Sequence, residues 1–144
     1  MSIGIASDHG GYSLKSYIQS NLTTMKFIDY GTNTLDSVHY PLIADKLCQA
    51  ILAGDISRGI LICGTGIGIS IRANRYQGIR AALAFDEFTA EMAKAHNNAN
   101  ILCLGGRTTS NDTALKLITT WATTRFEGGR HATRVELLDS TTIK

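Results

Sequence analysis

The sequence lacks an excess of charge of either sign. Its 14 lysines and arginines stand against 12 acidic residues, a formal net charge of +2. This balance excludes the basic field that binds nucleic acid or an anionic membrane surface. No apolar run is long enough to span a bilayer, and Met1 leads directly into a strand-like segment without the features of a targeting peptide. We expect a soluble, cytoplasmic protein with no nucleic-acid or membrane partner.

Cysteine is also scarce. The three cysteines, Cys48, Cys63 and Cys103, are an odd number without metal-ligand spacing, so neither a disulfide framework nor a metal site is predicted. Hydrophobic residues make up 44% of the chain and charged residues 18%, which is too apolar for disorder. Since no linker, repeat or low-complexity segment is present, a single domain over residues 1–144 is expected.

Short apolar segments alternate with amphipathic ones. Predicted strands occupy 3–7, 25–30, 59–63, 78–85 and 99–105. Predicted helices occupy 13–22, 41 to near 54, the segment after the glycine turn to about 75, 86–95, 112–123, and a last one from near 131. This alternation predicts an α/β fold: one doubly wound (Rossmann-like) domain with a five-stranded parallel sheet, helices on both faces and a C-terminal helix.

Polar clusters follow three of these strands, as Ser-Asp-His at 7–9, Cys-Gly-Thr at 63–65 and Gly-Gly-Arg at 105–107. Ligands of open parallel sheets bind outside the carboxyl ends of the strands, at a switch point in strand order. We therefore expect these three clusters to meet at one ligand site.

The glycine-rich segment GTGIG, residues 64–68, is open to two interpretations. Its backbone amides could hold an anionic oxygen at a helix N-terminus, or it could be a structural corner between strand and helix. It follows the third strand and has GxGxG spacing, so a dinucleotide site is rejected. A Walker loop is rejected because no Gly-Lys-Ser/Thr ending follows.

Cys63 could likewise be a packed small hydrophobe or a reactive group. The amides and the helix N-terminus after it would favour the thiolate, which acts as nucleophile or base. Cys48, on an apolar helix, and Cys103, inside a strand, lack that setting and are expected in the core.

Three further polar groups keep two interpretations each. Asp8-His9 could be a helix-capping pair or part of a site. His96 ends a helix whose apolar side is predicted to carry Phe88 and Met92, and its place there could be only dipole-favourable. Arg130 and Arg134 share a helix face and could bind phosphate or form a solvated surface.

Taken together, the motifs SDHGG…LK, ILICGTGIGISI, HNNAN followed by GGR, and EGGRHATRVELL closely resemble the type B ribose-5-phosphate isomerases. That family includes the galactose-6-phosphate isomerase subunits, and the resemblance runs in order over roughly residues 3–138. It implies interconversion of D-ribose 5-phosphate and D-ribulose 5-phosphate, a step of the pentose phosphate pathway. The reaction would pass through a cis-enediolate after ring opening, without metal or organic cofactor.

The resemblance also implies roles for individual residues. Cys63 is the base that moves a proton between C2 and C1, His96 opens the furanose ring, and Thr65 positions the sugar or the thiol. The substrate-binding residues would be Asp8, His9, Tyr40, Gly64, Gly66, Ile67, Gly68, Asn97, Arg107, Arg130 and Arg134. Within this set, Asp8 orients hydroxyls, His9 and the arginines bind phosphate, Asn97 contacts a substrate oxygen, and the GTGIG amides hold the enediolate charge. A homodimer or tetramer with a site shared across the interface is expected.

The chain departs from the family pattern at His39 and Leu42, where acidic residues are common, and at Gly10, where the common form is SDHAG. These departures leave the sugar preference open between ribose, allose and galactose phosphates. A galactose-6-phosphate isomerase subunit is less favoured because Cys63, His96 and both arginines lie in one chain. A non-catalytic sugar-phosphate-binding domain is the other alternative, although a mere binder needs neither thiol nor imidazole.

Overall fold

Five strands and six helices alternate along residues 2–140, the part of the chain that the computed structural model describes. They are β1 (Ile3–Ser7), α1 (Tyr12–Asn21), β2 (Phe27–Asp29), α2 (Tyr40–Leu52), β3 (Gly59–Cys63), α3 (Ile67–Ala73), β4 (Ala81–Leu83), α4 (Glu87–Ala95), β5 (Ile101–Gly105), α5 (Asn111–Thr123) and α6 (Arg130–Asp139). Within 2–140, no helix has the length and apolar character needed to cross a lipid bilayer.

All strand pairs are parallel, in the order β2-β1-β3-β5-β4. The order changes direction between β1 and β3, which is therefore the switch point of the sheet. Ser7 lies opposite Ile62, and Cys63 lies opposite Gly105. The three predicted polar clusters consequently leave the sheet side by side at its carboxyl edge.

The sheet is covered on both faces, as predicted. One buried cluster joins apolar residues of β1, β3 and β5 to helices α1, α4 and α5, and a second joins the opposite strand face to α2 and α3. The central strands β1, β3 and β5 are buried throughout, which explains their nearly continuous apolar sequences. Cys48 and Cys103 lie in the second cluster, so their predicted core positions are confirmed.

The predicted boundaries fail mainly at the sheet edges. β2 covers 27–29 rather than 25–30, and β4 covers 81–83 rather than 78–85. Each has a pairing partner on one side only, so fewer backbone groups enter the ladder. β5 begins at 101 rather than 99, and α3 ends at 73 rather than about 75. The apolar side predicted for α4 is wrong: Phe88 is 67% exposed, and three alanines of α4 are buried instead.

Lys15 explains the lysine of the first motif. Its side chain is fully buried, and its Nζ donates to Asp29 Oδ1 (2.8 Å) and Oδ2 (3.0 Å) as well as to the Thr32 carbonyl. A buried cation is tolerated when it is paired and hydrogen-bonded. Lys15 thus ties α1 to the segment that leaves β2, beside the carboxyl edge.

Asp45 of α2 connects that helix to α3, the helix that follows the glycine-rich turn. Arg72 Nε donates to Asp45 Oδ1 (2.8 Å), Arg72 Nη2 donates to Oδ2 (2.9 Å), and the Tyr76 hydroxyl donates to Oδ1 (2.7 Å). The hydrogen bonds from Arg72 are the main cause that lowers the pKa of Asp45, against the opposing effect of burial.

We expect Asp45→Asn to lower the Tm by about 2–4 °C at pH 7, because exposed ion pairs contribute little. A carboxyl group whose pKa is lowered in the folded state stabilises the protein above its unfolded pKa, and this contribution is lost as the pH falls through the folded value. The Tm difference should therefore shrink as the pH falls below the ordinary carboxyl value of 3.8. Thermal melts at pH 7 and across the acid range test this, with the exposed Asp55→Asn as control; a difference that stays constant down to the most acidic melt would contradict it.

Candidate active site

Most of the predicted site residues line one cavity of about 470 Å³ at the carboxyl edge of the sheet. Its lining consists of Asp8, His9, Tyr40, Cys63, Gly64, Thr65, Ile67, Gly68 and Arg107. The size suits a small organic ligand. The cavity lies at the switch point, where the topology predicts a ligand site.

Cys63 is the last residue of β3 and is 5% exposed. The Gly66 N–H donates to its Sγ at 3.2 Å, so the sulfur is a hydrogen-bond acceptor at the edge of the cavity. Burial raises the pKa of Cys48 to about 12 and also raises the pKa of Cys103. Of the three cysteines, only Cys63 lines the cavity.

The GTGIG turn requires glycine at position 66. Gly66 has φ +78°, and a Cβ there would lie 2.6 Å from Leu83 Cδ1. Helix α3 begins at the next residue, and the N–H groups of its first turn have no acceptor within the helix. The Gly66 amide is directed at Cys63, and the Ile67 N–H donates to Thr65 Oγ1 at 3.3 Å. The turn thus places one amide on the Cys63 sulfur, and Gly68 lines the cavity beside it.

Asp8 and His9 line the cavity from the end of β1. The Gly11 N–H donates to Asp8 Oδ1 at 3.0 Å, and Gly11 is the N-cap residue of α1. Asp8 therefore stabilises the turn into α1 and also lines the cavity, which reconciles the two interpretations. The Val38 N–H donates to His9 Nδ1 at 3.2 Å. Since Nδ1 is an acceptor, the neutral His9 ring carries its proton on Nε2, which is thereby available as a donor.

Tyr40 and Arg107 line the cavity next to the two ends of the glycine turn. A Cβ on Gly68 would lie 2.6 Å from the Tyr40 hydroxyl oxygen, so glycine is what permits this close contact. A Cβ on Gly64 would lie 3.1 Å from Arg107 Nη1. The cavity therefore has a cationic side formed by Arg107 and a phenolic side formed by Tyr40.

His96, Asn97, Arg130 and Arg134 lie elsewhere. Helix α4 starts after the carboxyl end of β4 and runs back to the start of β5, so His96 and Asn97 are at the amino edge of the sheet. The length of α4 puts them roughly 15 Å from the carboxyl edge. Arg130 and Arg134 are exposed on α6. One chain therefore does not bring these four residues to Cys63.

His96 belongs to a second cluster, with Glu127 and His131. His96 Nε2 is 3.6 Å from Glu127 Oε2, and His131 Nε2 is 3.7 Å from Glu127 Oε1. The two imidazole rings stack with centroids 4.0 Å apart and planes 11° apart. An imidazole binds a metal ion along its in-plane lone pair, and the stacked rings confine these lone pairs to two nearly parallel planes. The arrangement fits shared protons better than a chelated ion.

Sequence reasoning did not identify Glu127 and His131 as site candidates. Burial lowers the pKa of the His131 imidazole, and His96, Arg130 and Arg134 lower it further, while Glu127 acts in the opposite direction. His131 Nε2 is buried without a hydrogen-bond partner within the described residues. The four-residue spacing between Glu127 and His131 was the one sequence pattern that could have indicated their contact with each other. Their contact with His96 arises from tertiary structure, which no local sequence pattern indicates.

Comparison with known proteins places the chain in a family. The sequence profile described as Ribose/Galactose Isomerase matches residues 3–138. The chain belongs to the ribose/galactose isomerase family. Ribose-5-phosphate isomerase B of Escherichia coli K12 is 38% identical over 138 residues, covering 94% of this chain and 93% of that protein. The Listeria innocua protein named ribose-5-P isomerase B is 40% identical over 141 residues, covering 96% and 95%.

Solved structures of family members share the fold. The Clostridium thermocellum ribose-5-phosphate isomerase B structure has a TM-score of 0.94 at 49% identity, covering 96% of this chain and 95% of that one. The Thermotoga maritima ribose 5-phosphate isomerase structure has a TM-score of 0.93 at 45% identity, covering 96% and 97%. The chain is thus an isomerase of the sugar-phosphate class, and its α/β architecture is the fold of this family.

Proposed function

We propose that this family member interconverts D-ribose 5-phosphate and D-ribulose 5-phosphate, as a cytoplasmic enzyme of the pentose phosphate pathway. The observation that carries the proposal is the Cys63 thiol in the carboxyl-edge cavity, with an amide directed at its sulfur. The names of the Escherichia coli and Listeria innocua relatives support the choice of sugar.

The isomerisation moves one hydrogen from C2 to C1 of the open-chain aldose. The Cys63 thiolate removes the C2 proton, the C–H electron pair forms the C1=C2 bond, and the negative charge collects on O1. The protonated thiol then returns the proton to C1 while the O2 proton moves to O1 and a carbonyl forms at C2. Atoms and electrons balance without an external oxidant or reductant.

Two effects must act together in this step. Base catalysis contributes about 10²–10⁴-fold, and one donor at a developing oxyanion contributes about 10²–10³-fold. Cys63 provides the first, and the free amides after it, such as that of Gly68, provide the second. The phosphate binds away from the reacting carbons, where its binding energy holds the sugar in place. His9 Nε2–H and Arg107 are the donors within the cavity that bind the phosphate. Thr65 and Asp8 lie beside the sugar.

A second chain completes the site in this proposal. His96 lies at the amino edge and stacks on His131 of α6, the helix that carries both arginines, whereas Cys63 lies at the carboxyl edge of the same chain. A two-fold pairing is isologous, so each amino-edge group of one subunit can meet the carboxyl-edge cavity of the other. Two identical sites result, each with a thiol from one chain and with His96, Asn97, Arg130 and Arg134 from its partner.

An exposed apolar patch supports this pairing. It consists of five side chains around α3, β4 and the start of α4, with exposed fractions between 38% and 71%: Ile67, Ile71, Leu83, Phe85 and Phe88. Monomeric proteins rarely expose such groups together, and patches of this kind mark interfaces. The patch adjoins the cavity through Ile67, so a partner that covers it also reaches the site. We propose a homodimer as the smallest complete unit.

An assay of three sugar phosphates side by side tests the proposed substrate. We expect D-ribose 5-phosphate to give the highest kcat/KM, with D-allose 6-phosphate and D-galactose 6-phosphate at least about tenfold lower, since one misfitted carbon costs about 1–3 kcal/mol. A preference for a six-carbon sugar would shift the proposal to that substrate, and binding without turnover of all three would reduce it to a binding domain.

Arg134→Ala tests the phosphate part of the site. Loss of a charge-assisted hydrogen bond costs about 1.5–3 kcal/mol, so we expect the KM for the sugar phosphate to rise about 10- to 100-fold with little change in kcat. The exposed Arg75, which does not line the Cys63 cavity, provides a matched Arg→Ala control. Steady-state kinetics of both variants decide the point: an unchanged KM in Arg134→Ala removes this residue from the phosphate site.

A further inference from the structure

We propose that Glu127 and His131 are positioning residues that hold His96 in the orientation and charge state needed to open the sugar ring. This inference rests on the proposed function and extends it to two residues that the resemblance did not single out. It starts from the cluster at the amino edge, where the three side chains meet.

The cluster is fixed to the end of α4 by a backbone bond. The Glu127 N–H donates to the Ala95 carbonyl at 2.9 Å, so the residue before His96 holds the segment that carries the carboxylate. Glu127 directs one carboxylate oxygen toward each imidazole, at 3.6 Å from His96 and 3.7 Å from His131. These ion-pair distances lie slightly beyond hydrogen-bond length, close to the arrangement in which a carboxylate orients a catalytic histidine and stabilises the imidazolium that forms during proton transfer.

Exposure differs among the three members. The side chain of His131 is 8% exposed, that of His96 is 35% exposed, and that of Glu127 is 54% exposed. His131 is thus the buried ring of the stacked pair, and His96 is the ring that is partly exposed to solvent. Stacking at 4.0 Å restricts rotation of the His96 ring, whose side chain is nevertheless partly open to solvent.

The buried Nε2 of His131 indicates how the Glu127 carboxylate acts on the two stacked imidazole rings. This nitrogen has no hydrogen-bond partner among the described residues, and Glu127 Oε1 lies less than 1 Å beyond hydrogen-bonding distance. Because Glu127 is largely exposed, a small movement closes that contact. Burial, His96, Arg130 and Arg134 lower the pKa of His131, whereas Glu127 raises it. Because the lowering effects disfavour a positive charge on His131, the Glu127 carboxylate acts on the His96 imidazolium that forms during ring opening.

Ring opening needs only one histidine, which takes up one proton and then gives it back. His96 takes the proton of the anomeric O1–H group, the O1 electron pair forms the C1=O1 bond, and the C1–O4 bond breaks. The same proton then passes from His96 to O4, which restores the neutral imidazole. Glu127 stabilises the charged intermediate state of His96, and His131 keeps both partners in place.

The Cys63→Ala background isolates this step, because isomerisation is blocked while ring opening and closure continue. Exchange NMR measures how fast the protein interconverts the α and β anomers of D-ribose 5-phosphate. We expect Glu127→Gln in this background to slow the catalysed exchange about 10- to 100-fold, and His131→Phe, which keeps a stacked ring but no nitrogen, to slow it about tenfold. Binding of D-ribose 5-phosphate, measured by calorimetry, should stay within about threefold in both, an upper bound for a lost contact outside the ligand.

Glu91→Gln is the matched control, since Glu91 is exposed on α4 and its substitution removes a carboxylate outside the cluster. Catalysed exchange that is unchanged by Glu127→Gln, or unchanged by His131→Phe, would overturn the positioning role of that residue while leaving the isomerase proposal intact. Absence of catalysed exchange in Cys63→Ala itself would overturn ring opening by His96, and with it this proposal. Failure of the unmodified protein to isomerise any sugar phosphate would instead contradict the proposed function.

Discussion

Cys63→Ala is expected to lose isomerisation by about 10²–10⁴-fold in kcat while still binding D-ribose 5-phosphate with a Kd within about threefold of the original. The reason is that the thiolate is the base in the proposed mechanism, and nothing else in the described cavity is an equivalent group at C2. The thiol contributes little to binding, because the phosphate and the hydroxyls are held by other residues. Steady-state kinetics and calorimetry on the same preparation measure both quantities.

Cys48→Ala is the matched control for this variant. Cys48 is a second buried thiol, but its pKa is raised to about 12 by burial and it packs in the core on α2. Its removal should lower stability by about 1 kcal/mol, as small core truncations do, and leave kcat within about twofold. Near-normal turnover by Cys63→Ala, or an equal loss in both variants, would refute the role of Cys63 as the base.

The second large effect concerns the site shared between chains. Cys63→Ala and His96→Asn homodimers should each be nearly inactive, whereas a heterodimer of the two should recover about half of the wild-type activity. One of its two sites receives Cys63 from one chain and His96 from the other, and the remaining site lacks both. Co-expression with two affinity tags, followed by purification on both, provides the heterodimer for assay.

The reciprocal heterodimer is the decisive control. A chain with both substitutions, paired with an unmodified chain, has one defect in each shared site and should be inactive. If each chain instead carried its own complete site, this heterodimer would keep about half of the activity and the first one would have none. The two arrangements therefore predict opposite results from the same pair of measurements.

The central part of the fold could be predicted from the sequence because its strands are buried on both sides. β3 occupies 59–63 as predicted, since an uninterrupted apolar run ends at the glycine turn. The edge strands β2 and β4 were predicted too long, because residues such as Gly78 and Tyr30 continue the pattern without gaining a second pairing partner. Phe88 was assigned to the wrong face because its apolar character belongs to the exposed patch, not to the core.

The site was predictable where one topological rule applies. Asp8, Cys63 and Arg107 follow three strands that lie next to one another, so the carboxyl-edge cavity follows from strand order alone. His96 could not be located in this way, because the direction of α4 takes it to the other edge. Glu127 and His131 were missed because their contact with His96 joins separate helices through a loop, and no local pattern encodes such a contact.

Deuterium incorporation tests the central claim most directly. When the unmodified enzyme converts D-ribose 5-phosphate in D₂O, we expect a fraction of the D-ribulose 5-phosphate to carry solvent-derived deuterium at C1, because exchange of the Cys63 thiol proton with solvent competes with its return to C1. NMR or mass spectrometry of the product at several extents of reaction measures this label. Product that retains the original C2 hydrogen at C1 with no solvent deuterium at any stage would contradict an enediolate formed by a thiolate base.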